Sequence, residues 1–453
     1  MVAAAACALS LGAVPVAAQT TPSPPPAARP ALARVADALA QSLAQAPLRA
    51  LVVAAPLAGD GSAPRGAQLA AAVAVQVAGR RGSGSHARAE PLALQAAREA
   101  ARSDSVLVYV TVEVVAGKLR ATADVYPVPR NVWARLRNPE PGPVAHAFAE
   151  APLDAEVRTY LAPVPLVTAT VERARNFEGD VIALACGDVD QDGAPEVVAV
   201  SRRRVSTVRL RGGRVQILNS RAWTDLAGVA PAPLREPIGF ASIVSAAGGG
   251  FVDVGLTDRA RSLRLDGALR TLASFPGLAV PDGGASACTR IASLVVTGPL
   301  GPCHPGDPAP LAPSVGGQYD AFASARLVSA RGKPYTVWAG RERGALEVRD
   351  DEGNKAGLDG IGAQLAVGDL DQDGEPEILA SLDTMNPLED AVVVRSWARG
   401  AAIPLGAGSS TRLHEVLRIP APAGVHAIAV CPPDGAGVAP FVVATADELW
   451  VVR

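Results

Sequence analysis

One acidic stretch constrains this chain more than any other, because it occurs twice. DVDQDGAPE, Asp188 to Glu196, returns almost unchanged as DLDQDGEPE, Asp369 to Glu377. An apolar run ending in glycine precedes each copy, Leu184-Ala185-Cys186-Gly187 and Leu365-Ala366-Val367-Gly368. A β-rich run follows each, Val197 to Val200 and Ile378 to Ala380. Each copy therefore reads as the turn of a hairpin between two buried strands. Three carboxylates at alternate positions of one turn repel one another, and a hard divalent cation removes that repulsion. Ca²⁺ suits oxygen ligands in a flexible loop. Positions 1, 3 and 5 supply Asp188, Asp190 and Asp192 in the first copy and Asp369, Asp371 and Asp373 in the second. Gly193 and Gly374 at position 6 permit the sharp turn. Position 7 offers a backbone carbonyl, from Ala194 or Glu375, and position 9 a fourth acid, Glu196 or Glu377. Two Ca²⁺ sites are the expectation; the plainer reading is a solvated turn rich in Asp and Gly.

An EF-hand would place a bidentate Glu at position 12 between flanking helices. Position 12 here is Ala199 or Ala380 and the flanks are β, so that reading fails. The loops instead resemble the calcium loop of FG-GAP repeats, found in integrin-type β-propellers and in exported bacterial repeat proteins of the VCBS type. That pattern, D-x-D-x-D-G-x-x-D, maps onto Asp188, Asp190, Asp192, Gly193 and Glu196, and onto Asp369, Asp371, Asp373, Gly374 and Glu377. Both copies carry Glu where the family more often has Asp. The resemblance implies a calcium-stabilised propeller over roughly residues 165–453, carried by two loops and echoed faintly elsewhere.

The texture past Pro163 agrees: short strands and Gly/Pro turns without a convincing helix. Gly332-Lys333-Pro334-Tyr335 and Val438-Ala439-Pro440-Phe441 echo the loop context, each before a β-rich run. A further unit is expected over Ile243 to Leu256, where Gly248-Gly249-Gly250 replaces the acids, and another centred on Arg290 to Thr297. Such spacing predicts a six- or seven-bladed β-propeller. Leu449 to Val452 is placed to close the ring against a strand near Leu166 to Val171.

Ahead of the propeller, residues 31–160 read as a small α/β domain. Leu32, Val35, Leu39 and Leu43 recur at helical spacing, and Pro47 stops that helix. A strand over Leu48 to Leu57, a turn at Gly59-Asp60-Gly61, helices over Gly66 to Ala78 and Leu92 to Arg102, and a hairpin over Ser105 to Tyr126 follow. In element order this resembles the α/β domains of curli-secretion and flagellar outer-membrane assembly lipoproteins and of the Tol-Pal propeller protein. Residues 1–18 form an apolar run ending in small residues before Gln19, as a secretory signal peptide does, although no Lys or Arg follows Met1. Residues 19–30 are a Pro-rich linker. Cys288 and Cys303 flank a Gly/Pro-rich loop and are able to pair in an oxidising compartment; Cys186 and Cys431 lie in apolar strand contexts and read as small core residues.

Several function classes drop out. The net charge of −2 and 4% aromatic content leave no footprint for nucleic acid. No later apolar run is long enough for a transmembrane helix. The histidines, His86, His146, His304, His414 and His426, form no H-x-x-x-H pair, and no nucleophile elbow, P-loop or dinucleotide fingerprint occurs. Arg202-Arg203-Arg204 reads as an exposed turn. The expected function is a non-catalytic, exported scaffold that binds a protein or cell-envelope polymer in the periplasm, envelope or outside the cell. The alternative is an envelope-assembly or secretion accessory protein of the Tol-Pal type, with a hydrolase third. If residues 1–18 are a signal peptide, mass spectrometry of the exported protein will give a mature N-terminus near Gln19; an intact Met1 in the cytoplasm would refute it.

Overall fold

The computed structural model describes residues 30–453 apart from 57–63, 116–117, 130, 139, 159, 162–165, 227–230, 235, 247–248, 291–293, 313, 330–332, 400–412 and 434–437. The signal-peptide segment, nearly all of the Pro-rich linker and the turn at Gly59 to Gly61 lie outside the described residues.

In the N-terminal part, α1 (Ala31–Ser42) buries Leu32, Val35, Ala36 and Leu39, one face of a helix at spacings of three and four. It lies with α2 (Pro64–Arg81) over one side of a five-stranded sheet. The strands are β1 (Ala50–Ala54), β2 (Ser85–Ala87), β3 (Val106–Val115), β4 (Lys118–Pro127) and β5 (Ala145–Pro152), in the order β2-β1-β3-β4-β5. The first three are parallel, joined through α2 and α3 (Leu94–Ala100); β3, β4 and β5 are antiparallel. All of β1 is buried because both its faces are covered. Ala50, Val52 and Ala54 pack with α1 and α2, while Leu51 and Val53 meet Ala97 and Ala101 on the other side. The edge strand β5 had no signal in the hydrophobic pattern. Its inward residues are Ala147, Ala149 and Ala151, too small to stand out against outward His146, Phe148 and Glu150.

Six four-stranded sheets follow. Blade 1 runs through Val181–Gly187, Glu196–Ser201, Arg204–Arg211 and Arg214–Ala222. Blade 2 starts at Gly239–Ala246, blade 3 at Ala279–Asp282, blade 4 at Ala321–Val328 and blade 5 at Ile361–Gly368. Blade 6 takes Val425–Val430, Phe441–Thr445 and Glu448–Val452 from the C-terminal end and completes itself with Val171–Arg175. The number is six, and the architecture is a β-propeller.

Burial explains why the strands read as unbroken apolar runs. The second strand of blade 1 is buried at every residue, as is Phe441–Thr445 in blade 6. Each sheet is sandwiched between two others, so neither face reaches water. The cores lie between blades. Val198, Val200 and Val205 meet Val252, Val254 and Leu263 of blade 2; Val197 and Ala199 meet Val442, Ala444 and Leu449 of blade 6. Outer strands are half wet, as in Arg214–Ala222.

The ring closes by an antiparallel ladder from Glu448↔Arg175 to Val452↔Val171. Thr170 and Arg453 exchange backbone hydrogen bonds of 2.7 and 3.0 Å beyond it. The expected closing strand starts too early: Leu166–Thr168 is a 3₁₀ turn, and the strand begins at Val171. The unit centred on Arg290 to Thr297 is out of phase. That stretch joins the second and third strands of blade 3, and the counterpart of the acidic loop there is the turn at Gly283-Gly284.

The largest correction concerns cysteine. Cys186 and Cys431 are not merely core residues; they form a disulfide, as do Cys288 and Cys303. Cys186 lies near the end of the innermost strand of blade 1, and Cys431 directly follows the innermost strand of blade 6. These strands are neighbours around the axis, which brings two residues 245 positions apart to a Cα separation of 4.7 Å. The bond staples the junction between blade 6 and blade 1. In the chain-entropy account, closing so long a loop contributes about 5 kcal/mol, against about 3 kcal/mol for the 15-residue Cys288–Cys303 loop. Replacing Cys186 and Cys431 together by Ala should therefore lower chemical-denaturation stability more than the Cys288/Cys303 double replacement; the reverse order would show that the blade junction is held without it.

Candidate metal-binding site

Both acidic stretches are the turn between first and second strands of a blade, in blades 1 and 5. Two left-handed residues curl each: Gln191 (φ 62°) and Gly193 (φ 87°), Gln372 (φ 56°) and Gly374 (φ 89°). The Asp side chains hold the curl by capping amides further along the loop. In the first loop Asp190 Oδ1 accepts from Asp192 N at 3.1 Å, Asp192 Oδ1 from Ala194 N at 2.9 Å, and Asp188 Oδ2 from Gly193 N at 2.9 Å. The second repeats this with Asp371 and Asp373 N (3.2 Å), Asp373 and Glu375 N (2.7 Å), and Asp369 and Gly374 N (3.1 Å). The ninth-position acids open the second strands and are almost fully buried. Glu196 Oε2 accepts from Val189 N at 2.8 Å and Glu377 Oε2 from Leu370 N at 2.7 Å.

This geometry turns the carboxylates inward. Asp188, Asp190, Asp192 and Glu196 each bring an oxygen within 4.8 Å of the others, as do Asp369, Asp371 and Asp373; Glu377 lies outside that second cluster. Asp188 Oδ1 and Asp369 Oδ1 are shielded from solvent and accept no hydrogen bond. An oxygen buried and unpaired at position 1, facing further carboxylates, fits a hard cation. The donors are all oxygens, which suits Ca²⁺ better than a softer metal.

The two loops differ in their surroundings. Arg209, from the third strand of blade 1, reaches into the first loop. Its Nη2 lies 2.7 Å from Asp192 Oδ1 and 3.3 Å from Ala194 O, and its Nε donates to Glu196 Oε1 at 2.8 Å. The amide of Ala194 and this guanidinium hold the Asp192 carboxyl below its usual range. The backbone of the loop leans on blade 2, where a Cβ on Gly250 would come within 2.8 Å of Val189 O. The second loop is tied to both neighbouring blades. Tyr335 of blade 4 donates its hydroxyl to Gly374 O at 2.8 Å, and Ala439 N of blade 6 donates to Leu370 O at 2.9 Å. The side chain of Glu375 turns to Arg399, whose Nη1 also meets Asp350 at 3.1 Å. Burial, then the charges of Asp373 and Asp371, pushes Asp369 up to about 8. Burial and the Asp371 charge likewise raise Glu377 well above the carboxylate range.

Sequence reasoning named every acid but missed Arg209, Arg399 and Tyr335. Their role depends on strand register, which no local spacing reveals. His304 lies in an exposed loop, as expected, and Arg202 to Arg204 form an exposed turn. Along the propeller axis runs a channel of about 760 Å³, lined by apolar residues such as Phe240, Ile243 and Phe322 and by polar ones such as Asp320, Gln364 and His426.

No protein-family model matches the chain, and no curated protein matches it in sequence. Among solved structures it is similar to a member of the duf4221 family from Bacteroides vulgatus (8% identity, TM-score 0.36, covering 62% of this chain and 95% of that one). It is also similar to the WD40 domain of Neurospora crassa Pan2 (10%, 0.31, 75% and 88%). A thermostable family-43 glycoside hydrolase is a third (10%, 0.30, 64% and 91%). At these values the likenesses carry no inference about ligand or activity.

The raised Asp369 fixes a pH dependence. A carboxyl whose folded pKa exceeds its unfolded value favours folding while it is protonated, and that contribution fades as pH rises through about 8. In chelator the melting temperature should therefore fall between about pH 5 and 8. Saturating Ca²⁺ should flatten that slope, and Ca²⁺ affinity should rise over the same range as protons leave. A slope identical with and without Ca²⁺ would separate Asp369 from any ion.

Proposed function

We propose that this protein is an exported, non-catalytic calcium-binding propeller, a rigid scaffold for a protein or cell-envelope polymer. The observation that carries the reading is the second acidic loop. Three Asp oxygens converge there within 4.8 Å, and Asp369 Oδ1 is buried without a partner. A divalent ion would satisfy that oxygen and cancel the repulsion between Asp369, Asp371 and Asp373. It would also fix the loop that Tyr335 of blade 4, Ala439 of blade 6 and Arg399 tie to its surroundings, stiffening three blades at once. The sequence likeness of both loops to FG-GAP calcium loops, with Ala194 and Glu375 as carbonyl donors, supports the same reading. Export is supported by the apolar N-terminal run and by two disulfides, which form and persist in oxidising compartments.

A second reading, docking of an envelope-assembly partner through the N-terminal α/β part, is favoured by one observation. Val132, Trp133, Leu136, Val144 and Phe148 are all more than half exposed, an unusual concentration of large apolar side chains. It is compatible with the first, since the propeller loops and this patch belong to different parts of the chain.

Extracellular Ca²⁺ modules bind at about 10⁻⁴–10⁻³ M. At a Kd near 10⁻⁴ M and about 1 mM Ca²⁺, one site stabilises the native state by about 1.4 kcal/mol, a rise of roughly 2–4 °C in Tm. Differential scanning calorimetry should show that rise, its reversal by chelator, and its loss in Asp371→Ala. Mg²⁺ should substitute poorly, because it demands tighter octahedral geometry. Absence of any Ca²⁺ effect up to several millimolar would leave the loops as acidic turns.

A further inference from the structure

The sheet of the N-terminal part has two unlike edges. One is β2, three residues long; the other is β5, eight residues long, and among the described residues no strand pairs with its outer side. An edge strand leaves a row of amides and carbonyls without ladder partners, and short length or an edge lysine blunts it. Neither device protects β5, whose one proline, Pro152, stands at its end. Its side chains alternate strictly. Ala147, Ala149 and Ala151 are buried in the core beneath α1, while His146, Phe148, Glu150 and Pro152 are exposed, as is Val144 just ahead of the strand. The exposed row is palindromic in character about Phe148: a histidine faces a glutamate across it, and beyond them a valine faces a proline.

We propose that β5 joins a second copy of this chain, antiparallel across a two-fold axis at Phe148, so that two five-stranded sheets become one. Directly opposed residues of an antiparallel pair share a face, so a join that keeps α1 on the same side in both copies pairs exposed residues with exposed ones. Centred on Phe148, it sets Phe148 against Phe148, His146 of one copy against Glu150 of the other, and Val144 against Pro152. The rungs also continue the charges already in the sheet. On β4, Asp124 lies 2.7 Å from His146 and Arg120 lies 3.3 Å from Glu150. Each outer rung would therefore run Asp124 and His146 of one copy, then Glu150 and Arg120 of the other, with no like charges adjacent. Sliding the second copy by two residues either way would oppose Phe148 to His146 or to Glu150 and lose both charge pairs. The join takes Val144 and Phe148 from the exposed apolar group and leaves Val132, Trp133 and Leu136 outside it. It is independent of the calcium reading.

Cysteine placement tests the register. Opposed residues have Cα atoms about 4.5–5.5 Å apart, within the span of a disulfide. Phe148→Cys should thus form a covalent dimer under mild oxidation. His146→Cys alone should not, because its counterpart lies four positions along the strand, roughly 13 Å away. Glu150→Cys alone should not either, whereas a mixture of the two should cross-link. Sedimentation velocity of the full chain should show a dimer that dissociates on dilution. Phe148→Lys, which puts two like charges face to face at an exposed position, should weaken it by at least about tenfold. A parent that stays monomeric at every concentration would overturn the join and leave this edge to a strand from another protein. A dimer that survives Phe148→Lys, or one that cross-links through His146→Cys or Glu150→Cys alone, would place the contact elsewhere and overturn it too. Should Phe148→Lys fail to fold, the cysteine variants still decide.

Discussion

The structure depends on a ring that must close. Each blade is apolar on both faces, so none has a stable existence alone; every face is buried only when a neighbour stands against it. A ring of six leaves no exposed sheet face provided the last blade meets the first. Blade 6 is therefore assembled from both ends of the propeller, with Val171–Arg175 laid against Glu448–Val452. The same junction carries the Cys186–Cys431 disulfide, on the inner side of the ring, while the shared strand closes the outer side. Two devices of different chemistry thus hold the junction at which the ring closes.

Given that rigid frame, the turns between first and second strands can hold charge that a mobile loop would relax away. The acidic loops are curled by their own Asp caps, their ninth residues are pinned at the start of buried strands, and adjoining blades press on them. Like charges are consequently forced together, and each loop needs positive charge from somewhere. Arg209 provides it in blade 1. In blade 5 Arg399 is committed to Glu375 and Asp350, while oxygens of Asp369, Asp371 and Asp373 converge within 4.8 Å.

Much of this was legible in the chain. The duplicated loops marked two hairpins and every acid in them, because alternation of Asp and a glycine at position 6 are local features. The helix at Leu32 to Leu39 and the Ser105 to Tyr126 hairpin were visible because large apolar residues keep one period over many positions. Edge strand β5 was not, since its inward face is alanine. Blade 3 was placed out of phase because its counterpart of the acidic loop is a bare Gly283-Gly284 turn with nothing acidic to anchor the count.

Local chemistry along the chain determined where the backbone turns, which strands are buried on both faces, and which residues are able to offer oxygens to an ion. Such properties need only a few neighbouring residues, and a few neighbouring residues are what a sequence displays. Tertiary structure alone decided the rest. Six blades rather than seven, the pairing of Cys186 with Cys431, and the arrival of Arg209 in one acidic loop opposite Ser396 beside the other all depend on which distant strands lie side by side and in what register. A one-residue slip of the third strand of blade 1 would carry Arg209 to the opposite face of its sheet, and nothing in the loop's own sequence records that it does not.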